Sequence, residues 1–340
     1  MEDSPARRSG FLTRLKEGLR VGGRAAEEPP WTFRAPLHAY GKLPIYKDFI
    51  SVGLTEPGAR EFRAWLDRGF SHRWAADEAY RETEIPRHMF LLRLPESGAS
   101  VAGCLWGSRD QGGLRRFPFT IFVTLAEGHR AADPLAATEY LPLLERRSDA
   151  VARDFGPGGS LADFYRAFRG TEFDLPVKLR ERIRREARGD LEQVSISSFA
   201  AALFGEEAPG RWPALLAGLE AISTEPRGDV ARAVRIALSG GLSRARQLQF
   251  WLLWLSRSGS HRNRVSGLLY ASGTAPGRAV LLFRDLRPED IFLLHPTRTD
   301  YPYAEDLSAA LASSGVLPPQ SGGAPALDGW DRPLASMLEA

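Results

Sequence analysis

Apolar positions along this chain fall into three textures. Between Pro36 and Leu125, short apolar runs alternate with turn signals. Between residues 130 and 240 they recur every three or four residues, and from about Gln247 short runs return. In the first stretch Pro57 suits the opening position of a helix, and Phe62, Trp65, Leu66, Gly69 and Phe70 continue at helical spacing. Met89–Leu94 and Ser100–Trp106 read as strands separated by the turn signal Pro95–Gly98. Arg116–Leu125 reads as a third strand, apolar on both faces toward its middle, which predicts a central place in a covered sheet. In the middle stretch, residues 133–155, 161–168, 176–187, 196–204 and 212–222 predict helices, punctuated by Phe155–Ser160 and Glu225–Asp229. In the last stretch Gln249–Ser256, Arg264–Ala271 and Arg278–Asp285 read as strands, the first opening on Phe250, Trp251 and Trp254. A short helix through Asp306 to Leu311 follows.

Neither apolar β-rich region is long enough for a domain of its own. The pattern therefore predicts an α/β fold: a layered α/β sandwich around a mixed sheet built from both ends of the chain, with a helical insertion in the middle. The expected organisation is a basic extension over 1–35, an α/β half over 36–128 and a helical insertion or subdomain over 129–240. A β-rich half over 241–315 completes the sheet, and a Pro/Gly-rich tail covers 316–340. Within the extension, Arg7 to Arg24 carries six basic residues against Glu17, and Phe11, Leu15 and Leu19 fall at i, i+4 and i+8. That pattern fits a tail with nascent helicity, or a helix making peripheral membrane or partner contact through residues 7–24.

Composition narrows the function classes. The formal charge is +3, and 41 of the 45 basic residues are arginine, spread among 42 acidic residues. A nucleic-acid partner is not expected from so small and dispersed a surplus. Cys104 stands alone and the six histidines are scattered, so neither an intrachain disulfide nor a local zinc signature is present, and no metal or cofactor is expected. No apolar run approaches the roughly 20 residues of a spanning helix, and the start lacks a secretory apolar core, which predicts a cytoplasmic protein. The P-loop, dinucleotide, nucleophile-elbow and HExxH fingerprints are all missing. Cys104 reads as a small buried hydrophobe, the aromatic group at 250–254 as core, and Lys178–Arg188 as a solvated helix face.

Two polar segments carry the candidate chemistry. Ala39–Ile50 places Lys42, Pro44 and Asp48 in an otherwise apolar stretch, and Trp106–Phe119 places Ser108, Asp110, Arg115, Arg116 and Pro118 between two strands. In one reading, Asp48 and Asp110 form a carboxylate pair while Lys42 or Arg115 binds an anion. In the other, Ser108 and Asp110 build a turn freed by Gly112 and Gly113, and Asp48 makes a structural ion pair.

Tyr40–Phe49 reads Y-G-K-L-P-x-x-x-D-F, with Trp65-Leu66-Asp67 further on. Ser108-Arg109-Asp110 leads through a glycine and arginine turn to Arg115-Arg116-Phe117-Pro118. In order and spacing these motifs resemble the TagF (ImpM-like) family associated with bacterial type VI secretion. The resemblance implies an α/β sandwich and a cytosolic accessory role that restrains assembly or firing of the secretion machine after translation. It also implies partnership with a forkhead-associated scaffold protein and no enzymatic activity. The family-like positions are Lys42, Pro44, Asp48, Ser108, Asp110, Arg116 and Pro118, and no catalytic role is carried over to them. Lys47 stands where the family usually has glycine, and the turn Asp110–Arg116 is longer than the family's. From this comes the expectation that Trp106–Phe119 and Lys42–Asp48 form one polar surface at an edge of the sheet, where Arg115 and Arg116 hold a partner. The rivals are a hydrolase or transferase using Asp48 and Asp110, and a structural component recruited to the membrane face of the complex by residues 7–24.

Overall fold

The computed structural model describes residues 31–70, 84–224, 233–239, 241–258, 265–273, 277–295, 304–307 and 330–338. The described residues begin with three strands, β1 (Trp31–Pro36), β2 (His38–Gly41) and β3 (Ile50–Val52), and helix α1 (Pro57–Arg68). The antiparallel meander β4 (His88–Arg93), β5 (Ser100–Trp106) and β6 (Phe119–Leu125) follows. Next come α2 (Pro134–Asp154), α3 (Leu161–Phe168), β7 (Glu172–Val177), α4 (Arg180–Leu191), α5 (Ile196–Phe204) and α6 (Ala208–Thr224). The last third holds β8 (Ala233–Leu238), α7 (Arg244–Ser258), β9 (Gly267–Ala271), β10 (Gly277–Leu282), a 3-10 turn at Pro288–Leu294, and β11 (Ala304–Asp306).

Among the described residues, nine strands make one sheet in the order β11-β8-β10-β9-β4-β5-β6-β2-β3, and β1 pairs with β7 in a separate ribbon. The two ends of the chain meet at the antiparallel β4–β9 pair, where Phe90 faces Leu269. The sheet is mixed because β11 runs parallel to β8 while the other pairs are antiparallel. This is the layered α/β sandwich read from the pattern. Alternate residues of each strand serve opposite faces. Met89, Leu91, Ala102, Cys104, Ile121 and Val123 join a large core with helices α2 to α7, while Phe90, Leu92, Val101, Leu105 and Phe122 join a smaller core with α1 and the 3-10 turn.

Local chemistry sets the helix starts. Pro57 opens α1, and Pro134 opens α2 behind Asp133, whose carboxylate accepts the Leu135 amide at 2.9 Å. Ser160 and Ser195 cap α3 and α5 in the same manner. Just before α4, Lys178 lies 2.6 Å from both Glu139 and Glu186, and Arg182 on α4 pairs with Glu186, so this basic stretch is ion-paired and partly solvated. Cys104 is buried, and burial pushes its thiol up to about 12.

Two expectations are corrected. Gln249–Ser256 is not a strand but lies within α7. Its Leu248 and Phe250–Leu255 are all buried, because α7 is surrounded by α2, α4 and α6 and by the sheet side of the core, so no polar face betrays a 3.6-residue period. Gln247 donates to the carbonyls of Ser239 and Leu242, and Gln249 donates to Thr138 and Glu139, which satisfies the amide groups of the two buried glutamines of this helix. Second, residues 129–240 are not helical throughout: β7 and β8 lie inside them, and β8 is a member of the main sheet. Asp306 closes β11 and Leu307, the next residue, is helical, so the expected short helix starts one residue later; residues 308–311 lie outside the described residues. The basic stretch 7–24 also lies outside them. Of the Pro/Gly-rich tail, residues 330–338 are described. Leu334 is fully buried there, and the Leu334 amide donates to the Val194 carbonyl.

Candidate functional site

The two polar segments lie side by side at the β2–β3 end of the sheet. Register puts them there: β2 pairs with β6, and Gly41 faces Phe119. Gly41 has φ 128°, and a Cβ at this position would come within 2.0 Å of the Pro118 carbonyl oxygen. Only glycine permits that backbone approach. The Tyr-Gly-Lys-Leu-Pro and Phe-Pro motifs are therefore two halves of one contact.

The first segment, 42–49, is a compact bend between β2 and β3. Half-buried Pro44 occupies the second position of a turn closed by the Tyr46 amide on the Leu43 carbonyl at 3.2 Å. Asp48 is exposed and accepts the Phe49 amide at 2.8 Å. Lys42 is 2% exposed, and its Nζ lies 4.4 Å from the Phe49 ring centroid without a hydrogen-bond partner. Burial lowers its pKa, Arg115 adds to that, and Asp110 and Asp48 oppose it.

The second segment, 107–118, joins β5 to β6 and is held by Asp110. Its Oδ1 accepts the amides of Leu114 at 3.1 Å and Arg115 at 3.3 Å, and its Oδ2 accepts Arg115 Nε at 2.9 Å. Asp110 is 4% exposed; desolvation works against its charge, but these hydrogen bonds and the Lys42 charge hold the carboxyl below its ordinary value. The loop base is a β-bridge between Arg109 and Arg116, where the Phe117 amide donates to the Ser108 carbonyl. The turn itself carries Gly113 at φ 70°. Two bonds tie this loop to the first segment: the Gln111 amide to the Tyr46 carbonyl at 3.0 Å, and Arg115 Nη2 to the Lys47 carbonyl at 3.2 Å.

The sequence-predicted residues therefore part company. Lys42, Asp110 and Pro118 are buried, Pro44 and Ser108 are half-buried, and Asp48, Arg115 and Arg116 are exposed. Asp110 pairs with Arg115, whereas Asp48 binds its neighbouring amide. Two further residues complete the surface. Leu114 is 88% exposed at the loop tip, among exposed Arg109, Arg115 and Arg116. Phe49 is 36% exposed, stacks on Tyr40 at 5.6 Å and meets Phe117 edge-on at 4.8 Å. The signal for Leu114 was available as a lone large apolar residue between a glycine and two arginines. Phe49 was indistinguishable from core until β3 proved to be an edge strand. Among the described residues, no group of three or more His, Cys, Asp or Glu side chains is placed to hold a metal, and no helix is long and apolar enough to cross a membrane.

Residues 38–164 match a family model described as "TagF N-terminal domain, Type VI secretion system-associated". That stretch contains both motifs, so the TagF resemblance is shown over it and ties the chain to type VI secretion. No curated protein matches the chain. Among solved structures, the crystal structure of PA0076 from Pseudomonas aeruginosa PAO1 at 2.05 Å resolution is 22% identical, over 42% of this chain and 64% of that one, with a TM-score of 0.32. This chain thus spans less than two thirds of that protein, and at such a TM-score the likeness carries no argument about fold.

Proposed function

We propose that this chain is a non-enzymatic, cytosolic accessory protein of a type VI secretion system that regulates assembly or firing after translation, by protein–protein contact. A forkhead-associated scaffold protein or another cytosolic secretion component is the partner class. The observation that carries this reading is the stapled β5–β6 loop inside the TagF-type region. It spends a buried carboxylate on holding a leucine and three arginines out in solvent. Arginines are enriched at docking surfaces, and an exposed apolar side chain among them adds area for a partner to bury.

The carboxylate-pair rival finds less support. An acid catalyst needs a raised pKa, whereas Asp110 is held below its ordinary value and both its oxygens are engaged by the loop. Recruitment to a membrane face by residues 7–24 concerns a stretch outside the described residues.

The test is capture of secretion components from the native bacterium by the full chain and by an Arg115→Glu, Arg116→Glu variant, with thermal melting in parallel. Reversing Arg115 sets a second carboxylate beside Asp110, so Leu114→Asp serves as the variant that leaves the staple in place. Loss of forkhead-associated or baseplate proteins with an unchanged melt supports docking through this loop. Undiminished capture by both variants contradicts it.

A further inference from the structure

Lys42 is a buried polar group of this surface that the loop geometry leaves unexplained. Its ammonium is buried, has three donors and makes no hydrogen bond, and its contact is the face of Phe49. Buried donors are almost always paired, and an unpaired one has a reason for persisting. Asp110 and Asp48 attract the ammonium but do not bond it: Asp110 is engaged by Leu114 and Arg115, and Asp48 by the Phe49 amide. The charges that act on this ammonium are Arg115, which opposes it, and Asp110 and Asp48, which favour it. The two segments together carry Lys47, Arg109, Arg115 and Arg116 besides Lys42, against Asp48 and Asp110. Burial lowers the Lys42 pKa, which is what an under-compensated ammonium shows. Phe49, the residue covering it, is itself more than one-third exposed and precedes the short edge strand β3.

We propose that Lys42 is the floor of an acid-binding socket. One carboxylate side chain of the docking partner passes the Phe49 ring and takes the Lys42 ammonium, while Leu114 seats on the partner and Arg109, Arg115 and Arg116 face its remaining acidic surface. This rests on the docking function proposed for the loop and names the chemistry the loop recognises. A carboxylate fits better than a phosphate. A single ammonium balances one negative charge, and a dianion would meet roughly twice the repulsion from Asp48 and Asp110. A charge-assisted bond at the floor and an apolar contact at the rim make one compact hot spot.

The experiment selects a displayed library of random decapeptides on the full chain, on Lys42→Met and on Arg115→Glu, Arg116→Glu. One selected peptide is then resynthesised with Glu, Gln or phosphoserine at the enriched position. Expected are peptides with Asp or Glu at a fixed distance from an apolar residue, and an affinity at least about tenfold lower on Lys42→Met, the size of one lost charge-assisted bond. Gln in the peptide should cost the same on the full chain and nothing further on Lys42→Met. If the methionine variant melts early, Lys42→Gln carries the same comparison. Acid enrichment that survives both substitutions, no peptide selected at all, or tighter binding of the phosphoserine peptide overturns the socket. Capture of secretion components separates the two claims. Loss in the double arginine variant but not at Lys42 leaves docking standing without the socket, and no loss in either removes the docking function itself.

Discussion

Strand β5 ends in two loops, each organised by a buried carboxylate, and the difference between them separates architecture from display. The β4–β5 turn is gripped from outside. Glu61 on α1 accepts the amides of Glu96 and Ser97, both at 2.8 Å, and so locks the turn to the helix beneath it. The β5–β6 loop is gripped from within, by Asp110 on the amides and guanidinium of its own residues. A carboxylate reaching across from a helix joins two layers of the sandwich. One that folds back on its own loop fixes the loop's shape and leaves its outer face for something else. That outer face carries Leu114, whereas the β4–β5 turn exposes no large apolar side chain.

The sharpest way to break this contrast is Asp110→Ala. Partner capture should fall by tenfold or more, and amides 111–116 should exchange faster, with the β4–β5 turn unaffected; retained capture would mean the loop needs no staple. Glu61→Ala should do the opposite. It should cost about 1–3 kcal/mol in denaturant unfolding, the range for losing charge-assisted bonds to backbone amides, and leave capture intact. Lys42→Met should melt above the full chain at neutral pH, because it removes a buried ammonium that has no hydrogen-bond partner and whose burial outweighs the attraction of Asp110 and Asp48. The Lys42 pKa is lower folded than its ordinary 10.5, so folding disfavours its charged form, and this penalty fades as pH rises from the folded value toward 10.5. The melting gap between the two proteins should therefore close in alkali; a gap independent of pH contradicts the assignment.

Acid provides a smaller effect. Asp110 is held below its ordinary 3.8, so its contribution is present above 3.8 and is lost as pH falls through the lower folded value. Loop amides 114 and 115 should lose protection in that window, which hydrogen exchange across an acid series would show. Smallest of all, Leu114→Ala should change stability by less than about 0.5 kcal/mol, as for an exposed side chain, while weakening capture.

Most of the sheet was legible because its strands carry their own boundaries. Ser100–Trp106 is bounded by a turn and a polar loop, and Pro57 and Pro134 mark helix starts. Helix α7 was illegible because periodicity reports a contrast between two faces, and Leu248–Leu255 has almost none. Strand β8 was hidden inside a helical stretch because its place in the sheet depends on pairing with β10 and β11, far along the chain. The site divides the same way. Its polar residues were conspicuous in sequence, but Asp110's inward role, Lys42's burial and the meeting of Gly41 with Pro118 are products of the β2–β6 pairing. No local pattern encodes that pairing.

The most direct measurement is hydrogen exchange on the full chain alone and in complex with its captured secretion partner. The account predicts slowed exchange at 42–49 and 107–118 and no change at the β4–β5 turn, residues 95–98. Protection at 95–98 or elsewhere, with 107–118 still exchanging freely, would contradict the loop as the docking surface.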